Sequence, residues 1–528
     1  MANYAKISSK IIISSGVFFM FSRVATCGLT GLDGYLIEVE TDISNGIPAF
    51  EVVGLAETSV KEARERVRAA IKNSGFEFPC RRITINLAPA DIRKDGTAFD
   101  LPIAIGILIA AKVIPEESVK GYFISGELAL DGSIRPVPGM LCKAITAREL
   151  HYERMMIPAQ NIHEVSVVGG VEYYPVHSLS EAVAHFTGQQ RIEPAKKSEI
   201  YNMQKKSYEV DFSDVRGQHH AKRALEVAAS GGHNVIMIGS PGSGKTMLAR
   251  RLPTILPDLS FEESLEITKI YSVAGMLPPN TSLITERPFR APHHTMSAAS
   301  LVGGGRIPKP GEISLSHHGV LFLDELPEFA PATLDILRQP MEDGFVCIAR
   351  INSTITYPCR FMLVAAANPC KCGYYGDPVK PCTCSPREAE RYLGRLSGPL
   401  MDRIDIQIHV PTLRYSDLES DVREETSEEI RKRVNKARTI QKERYKGLNI
   451  YCNAGLTGAM IREFCKVDDE GKSLLRSAFD RLKLSARAHD RILKVARTIA
   501  DLDESPVIHA SHIAEAIQYR TLDRTLLA

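Results

Sequence analysis

Long apolar runs are missing from this 528-residue chain: nowhere do roughly 18 hydrophobic residues, the length of a helical bilayer span, follow one another. No membrane partnership is expected. A charge excess is missing too, because 65 Lys+Arg stand against 63 Asp+Glu for a formal net charge of +2. A polyanion would therefore have to be met by a local basic surface rather than by the field of the whole molecule. Internal repeats and low-complexity tracts are absent from the sequence, which excludes solenoids and arrays. What remains is ordinary globular composition, 44% hydrophobic and 24% charged, in a chain too long for one core, so about three or four folding units are expected.

Two further absences concern targeting and redox chemistry. Lys6 and Lys10 precede the apolar residues Ile11 to Phe19 in imitation of a short signal peptide, yet no A-x-A cleavage site follows and Arg23 comes soon after. Residues 1–23 are expected to be an extension, disordered or the product of a start assigned upstream of Met20, and the protein to be cytoplasmic. The eleven cysteines are scattered, apart from four gathered between positions 370 and 384, so no disulfide framework is expected.

Against these absences stands one contiguous motif. Gly239, Ser240, Pro241, Gly242, Ser243, Gly244, Lys245 and Thr246 fit G-x-x-x-x-G-K-[ST], with the apolar strand Val235 to Ile238 ahead and a helical pattern from Met247 to Leu252 behind. Glycines at these points let backbone N–H groups turn inward on a polyphosphate at a helix N-terminus. Lys245 then reaches the β and γ oxygens, and Thr246 offers a hydroxyl to Mg²⁺. ATP and Mg²⁺ are the expected ligands.

Around this motif the chain divides by pattern. Residues 24–186 mix strands at Tyr35 to Ile43, Phe50 to Val53 and Ile83 to Leu87 with a helix whose apolar face is Val60, Ala63, Val67, Ala70 and Ile71, stopped by Gly75. A buried helix is expected over Leu101 to Ala111, and a hairpin in which Tyr122 to Leu130 turns at Asp131-Gly132 into Ser133 to Arg135. Residues 187–209 are polar and read as a linker, 210–411 as the P-loop core, and 412–528 as helices, with Ile430, Val434 and Ala437 forming one apolar stripe.

Within the core, Val320 to Leu323 is a buried strand ending in Asp324 and Glu325. Asp324 is placed to hold Mg²⁺ and Glu325 to polarise an attacking water. Acids are costly on a buried strand, which disfavours a purely structural pair. The strand Phe361 to Ala367 ends in Asn368, whose amide can orient the same water or simply cap the strand. His293, His294, His317 and His318 have no matched acid in sequence and read as packing or loop hydrogen-bonding residues.

These spacings resemble the AAA+ ATPases of the magnesium-chelatase-like branch, and more narrowly the ComM/YifB family of competence-related ATPases. The resemblance runs nearly from Met20 to the end, through Arg287 to Thr295, Leu301 to Gly305, Pro310 to Leu315, Gly319 to Phe329, Leu484 to Ala488 and Val495 to Leu502. It implies an α/β multidomain protein with a central AAA+ P-loop domain and a C-terminal helical lid. It further implies Asn368 as sensor 1, Arg403 as an arginine finger, Arg487 as sensor 2 with Arg491 as its rival, and a homo-oligomer, expected to be a hexamer. A local salt bridge is the competing reading of Arg403 and Arg487.

Between Lys245 and Asp324 there is room for an insertion carrying the Leu301 to Gly305 loop, and Phe345 to Arg350 with Ser353 to Tyr357 form a second expected hairpin. Arg306, Lys309 and Arg350 on these loops are candidates for DNA backbone contacts, or else plain exposed charges. Cys370, Cys372, Cys382 and Cys384 form two C-x-C pairs, enough thiolates for structural Zn²⁺, or a set of reduced cysteines in a packed loop. Ser385 and Glu388 form a capping box for a helix on which Arg387, Arg391 and Arg395 recur every fourth residue, a face for DNA, for a neighbouring subunit or for solvent.

The first domain resembles the proteolytic domain of Lon-type enzymes, an α+β ribosomal-S5-like fold, through Lys94-Asp95-Gly96 and Gly126 to Gly139. On that pattern Lys143 takes the dyad lysine's place, but Ala98 stands where the nucleophilic serine belongs. A methyl group cannot attack a carbonyl, so peptide hydrolysis is not expected. The resemblance as a whole implies a hexameric ATPase acting on single-stranded or branched DNA, by helicase or branch-migration activity, in recombination of incoming DNA. A chelatase-type subunit driving metal insertion and a nucleotide-gated scaffold are the rivals.

Overall fold

The computed structural model describes residues 20–55, 57–195, 209–305, 308–350, 353–412, 423–448 and 450–520. The chain divides into two units, Met1–Ser198 and Glu199–Ala528.

In the first unit, Met20–Thr30 and Asp33–Ser44 pair antiparallel along their whole length, from Met20 opposite Ile43 to Thr30 opposite Asp33. Ile37, Val39, Thr41 and Ile43 alternate inward, the period-2 signature of a strand with one buried face. The sheet therefore begins inside the stretch expected to be an extension. Residues 20–23 pair with residues 40–43, and the Ser22 hydroxyl donates to the Gly106 carbonyl at 2.7 Å. Seven strands follow the order Ala49–Val53, Arg82–Ala88, Asp33–Ser44, Met20–Thr30, Tyr122–Ile124, Arg154–Pro158 and Glu172–Val176.

The helix Thr58–Asn73 buries Val60, Ala63, Val67, Ala70 and Ile71, and soon after its end Gly75 takes a left-handed φ of 86°. The expected hairpin arm Tyr122 to Leu130 is in fact two strands. Tyr122–Ile124 joins the main sheet, while Glu127–Leu128 alone pairs with Ile134–Arg135. The break falls at Gly126, whose carbonyl accepts from Leu101 N–H and where a Cβ would press on the Leu101 side chain. The first residues of the expected linker also follow this unit: Ile192 N–H donates to His185 Nδ1 at 3.0 Å and Ala195 N–H to the Tyr173 carbonyl at 2.8 Å.

Every residue of the helix Asp100–Ala110 is buried, including the acid that starts it. Burial pushes Asp100 up to about 6 although Arg66 opposes it with two hydrogen bonds, at 2.8 and 3.0 Å. Removing one partner of such a pair leaves an uncompensated charge. Arg66→Ala should therefore destabilise the protein by about 3 kcal/mol in urea unfolding, whereas an exposed pair such as Arg82 with Glu51 should contribute less than about 1 kcal/mol.

The second unit is built on five parallel strands in the order Phe289–Arg290, Val320–Leu323, Met362–Ala367, Val235–Ile238 and Ile406–His409. Their central members are apolar runs buried on both faces, as a sheet covered on each side by crossover helices requires. Beyond the sheet come the helices Ser427–Arg444, Gly458–Phe464, Asp469–Arg481, Ala486–Leu502 and Ala510–Gln518. Val235, Met237 and Val364 of the sheet share one hydrophobic cluster with Ile430, Val434, Ile492, Ile499 and Ile513 of these helices. The core thus runs unbroken across position 411.

A buried polar network fixes the helices to the base of the sheet. His233 lies 3.2 Å from Asp405 and 2.8 Å from the Thr498 hydroxyl, Arg491 pairs with Asp405, and Asp501 receives Arg444, Arg497 and Asn453. Burial alone would raise the Asp405 pKa, but His233 and Arg491 hold it well below the usual carboxylate range.

Candidate nucleotide site

Parallel strands present all their C-terminal ends on one edge, and the chemistry-bearing residues of the second unit gather there. The loop Gly239 to Gly244 follows Val235–Ile238, Asn368 follows the adjacent Met362–Ala367, and Asp324 and Glu325 follow Val320–Leu323 one strand further on.

Gly242 and Gly244 adopt φ of 79° and 92°, left-handed values at which L side chains are strained. Gly239 is needed for closeness instead: a Cβ there would lie 2.2 Å from the Val410 carbonyl oxygen. Lys245 opens the helix Lys245–Arg251 and folds its amine over the loop, donating to the carbonyls of Gly239 at 2.7 Å and Ser240 at 2.9 Å and to Asn368 Oδ1 at 3.3 Å. Burial lowers the Lys245 pKa, opposed by Asp324 and Glu325.

The Thr246 hydroxyl donates to Asp324 Oδ2 at 2.8 Å, while the other Asp324 oxygen accepts from the Glu325 N–H at 2.9 Å. A hydroxyl and a carboxylate side by side are the oxygen donors Mg²⁺ selects, so the residues present fit that ion. Glu325 itself sits at φ 53° with its side chain 52% exposed, and His294 Nδ1 lies 3.4 Å from its carboxylate. His317 and His318 each place Nε2 2.9 Å from one Glu266 oxygen, and His317 Nδ1 accepts from Arg360 N–H. Both nitrogens of His317 are thereby used in packing the insertion.

Two arginines lie elsewhere. Asn234 Nδ2 donates to the Arg403 carbonyl, which puts Arg403 at the N-terminal end of its strand, about 15 Å along the sheet from the phosphate loop. Its guanidinium contacts the Pro399 carbonyl at 2.6 Å and Glu342 at 2.5 Å, and its buried Nε has no partner among the described residues. Arg487 lies 3.8 Å from Asp402, next to Arg403, and is 69% exposed, whereas its rival Arg491 is consumed by buried Asp405. Arg403 and Arg487 therefore share one edge, and this chain does not bring them to its own Lys245.

The candidate DNA contacts are dispersed. Lys309 is exposed on the short strand Lys309–Pro310 paired with Gly303–Gly304, while Arg306 and the side chain of Arg350 lie outside the described residues. Arg387 and Arg391 are exposed on Pro386–Leu393, but Arg395 is not on that helix. The helix ends at Gly394, and Arg395 turns to Glu328 at 3.4 Å and to the Tyr392 ring. The expected line of three guanidinium groups is thus a pair.

Cys370, Cys372, Cys382 and Cys384 are free thiols whose sulfurs all lie within 4.8 Å of one another. Their loop reaches the phosphate loop through Asp377, which accepts from the Ser240 hydroxyl and, at 2.8 Å, from the Thr412 hydroxyl. Asp377 escaped sequence reasoning, as did Gln218, whose amide donates to the carbonyls of Ser243 and Pro411 at 3.3 and 2.7 Å, while His294, read from sequence as a packing or loop residue, lies beside Glu325. No local pattern marks Asp377 or Gln218, since each acts through partners distant in sequence.

In the first unit, Lys143 is buried and donates at 3.3 Å to both the Cys27 carbonyl and the Ser125 hydroxyl; burial lowers its pKa to about 8. Ala98 and Ser125 are buried as well, so the hydroxyl beside Lys143 is closed to solvent. No helix among the described residues is long and apolar enough to cross a membrane.

Residues 211–418 match the family described as magnesium chelatase, subunit ChlI, residues 39–161 that of subunit ChlI of Mg-chelatase, and residues 424–520 that of the subunit ChlI C-terminal region. The uncharacterized protein YifB of Escherichia coli (strain K12) is 45% identical over 507 residues, 96% of this chain and 98% of that protein. The competence protein ComM of Haemophilus influenzae is 45% identical over 500 residues, 94% of this chain and 96% of its own. The magnesium-chelatase 38 kDa subunit of Rhodobacter capsulatus is 26% identical over 176 residues, covering 30% of this chain and 50% of that subunit.

Proposed function

This chain belongs to the magnesium-chelatase-like family that includes YifB and ComM, and from that premise we propose that it is a Mg²⁺-dependent AAA+ ATPase acting as a ring-shaped DNA motor. The observation that carries the reading is the convergence of Lys245, Thr246, Asp324, Glu325 and Asn368 on one sheet edge beneath a glycine-rich loop.

In this reading Lys245 exchanges the Gly239 and Ser240 carbonyls for the β and γ oxygens of ATP, and loop N–H groups take the remaining charge. Thr246 and Asp324 would hold Mg²⁺, which when bound supplies neutralisation of phosphate charge. Glu325 accepts the proton of the attacking water, and Asn368, already bonded to Lys245, orients that water. Arg403 and Arg487 sit on the opposite edge and would serve the nucleotide of the adjacent protomer. Such head-to-tail completion closes into a ring, for which we propose a hexamer.

The likeness to a competence protein supports a role in competence; the form we propose for that role is helicase or branch-migration activity on incoming DNA in the cytoplasm. Exposed Lys309, Arg387 and Arg391 are the basic residues offered to a phosphate backbone. For the first unit we propose a scaffold or DNA-binding annex, as the resemblance to Lon-type domains implies, since the hydroxyl beside Lys143 is that of buried Ser125 and Ala98 offers no nucleophile.

The test is ATP turnover with and without single-stranded and branched DNA. Turnover should rise several-fold with DNA, the effect should weaken steeply from about 50 to 200 mM salt, and paired Arg387→Ala and Arg391→Ala should reduce the stimulated part alone. The partial likeness to the Rhodobacter subunit supports a rival, metal insertion driven through a chelatase partner. Indifference to DNA together with stimulation by such a partner would replace the DNA reading. Slow turnover indifferent to both would leave a nucleotide-gated scaffold.

A further inference from the structure

We propose that Cys370, Cys372, Cys382 and Cys384 form a mononuclear zinc site of structural type, and that the loop it folds braces the phosphate loop. A tetrahedral Zn²⁺ with Zn–S bonds of about 2.3 Å sets its sulfurs about 3.8 Å apart. Here Cys370 lies 3.3 Å from Cys372 and 3.6 Å from Cys382, Cys372 lies 3.5 Å from Cys382, and Cys384 falls within the same 4.8 Å group. These separations are too long for a disulfide, which needs about 2.05 Å. They are also too short for an iron–sulfur cluster, whose terminal thiolates are spread over several metal atoms.

Two backbone N–H groups are directed at the sulfurs. Gly373 N–H donates to Cys370 Sγ at 3.2 Å and Cys384 N–H to Cys382 Sγ at 3.3 Å, supporting contacts that orient sulfur ligands and spread their charge. Four thiolates converging without a metal would repel one another. Four donors also fill a tetrahedron, which leaves no open position for chemistry and makes the site structural.

What the metal would hold in place is visible in the loop between the two C-x-C pairs. Gly373 has φ 88°, and a Cβ on it would lie 2.5 Å from Pro241 Cδ, so the loop backbone packs directly on the phosphate loop. Asp377 organises the loop by accepting from the N–H groups of Val379 at 2.8 Å and Lys380 at 2.9 Å, and it ties in Ser240 and Thr412 at once. Ser240 is the second residue of the phosphate-binding octet. Zinc loss would free the loop and with it one wall of the nucleotide site.

The bracing half of this proposal rests on the nucleotide reading above; metal content does not, so the two are measured apart. Elemental analysis of full-length protein purified without chelator or metal resin should find about one zinc per chain, and Cys372→Ser and Cys382→Ser should each lower this at least about tenfold. Cobalt exchanged into the unaltered protein should give the absorption of a tetrahedral tetrathiolate, a readout that needs no variant to fold. A metal-free native protein, zinc retained in full by Cys382→Ser, or cobalt without thiolate absorption would each overturn the site. For the bracing, Asp377→Ala should keep its zinc and its kcat while KM for ATP rises about tenfold. An unchanged KM would overturn the bracing.

Discussion

Replacing Arg403 by alanine should slow ATP turnover by about 10³- to 10⁵-fold while the chain still binds nucleotide with nearly native affinity. The expectation follows from position. Arg403 lies at the end of its strand away from the phosphate loop, so its guanidinium cannot serve the nucleotide of its own chain without dismantling the sheet. Yet it is poorly satisfied where it is: Glu342 is half exposed, and the buried Nε has no partner among the described residues. A guanidinium that trades this Glu342 contact for a γ-phosphate across a subunit boundary would gain far more than it gives up. Mixing supplies the decisive measurement. Lys245→Ala and Arg403→Ala should each be inactive alone, while a one-to-one mixture should regain about a quarter of the sites, those formed where an intact loop meets an intact arginine. If Arg403 is instead a local ion pair, the variant loses less than about 1 kcal/mol of stability, turnover stays within about tenfold of the parent, and mixing restores nothing.

The contrast between Lys245 and Arg403 also explains what the sequence could and could not reveal. The phosphate loop is legible because all eight residues are contiguous and bounded by a strand and a helix whose patterns are local. The acid pair is legible for the same reason, since four buried apolar residues ending in Asp324 and Glu325 have few other meanings. Arg487 and Arg491, one turn apart on a helix, are equivalent by spacing, and a family resemblance alone favours Arg487. Only the fold shows that Asp405, far upstream, claims Arg491 and leaves Arg487 exposed. Arg395 misled because a spacing of four holds its meaning only while the helix lasts, and this helix stops at Gly394. The interruption at Gly126 was hidden by apolar residues on both sides, and the Met20 strand by the alternation of Met20 to Arg23, too short to stand out before its partner is known.

Glu325→Gln should reduce hydrolysis by about 10² to 10⁴-fold and leave ATP binding intact, trapping the loaded state. The substitution is isosteric, so it asks a chemical question alone. The left-handed backbone at φ 53° and the Asp324 contact to the Glu325 N–H are kept, and with them the Thr246 to Asp324 bond that forms the Mg²⁺ donor pair. What is lost is a carboxylate able to take the water's proton. His294 sharpens the expectation. It stands 3.4 Å from that carboxylate, a contact that a carboxylate free to meet an attacking water would have to give up. His294→Ala should therefore bind ATP as the parent does and hydrolyse it somewhat faster without DNA, the opposite sign to Glu325→Gln. Equal losses in both variants would instead make the histidine a supporting partner of the base. A Glu325→Gln protein that hydrolyses ATP within about threefold of the parent would remove Glu325 from the chemistry, since no general base is dispensable at that level.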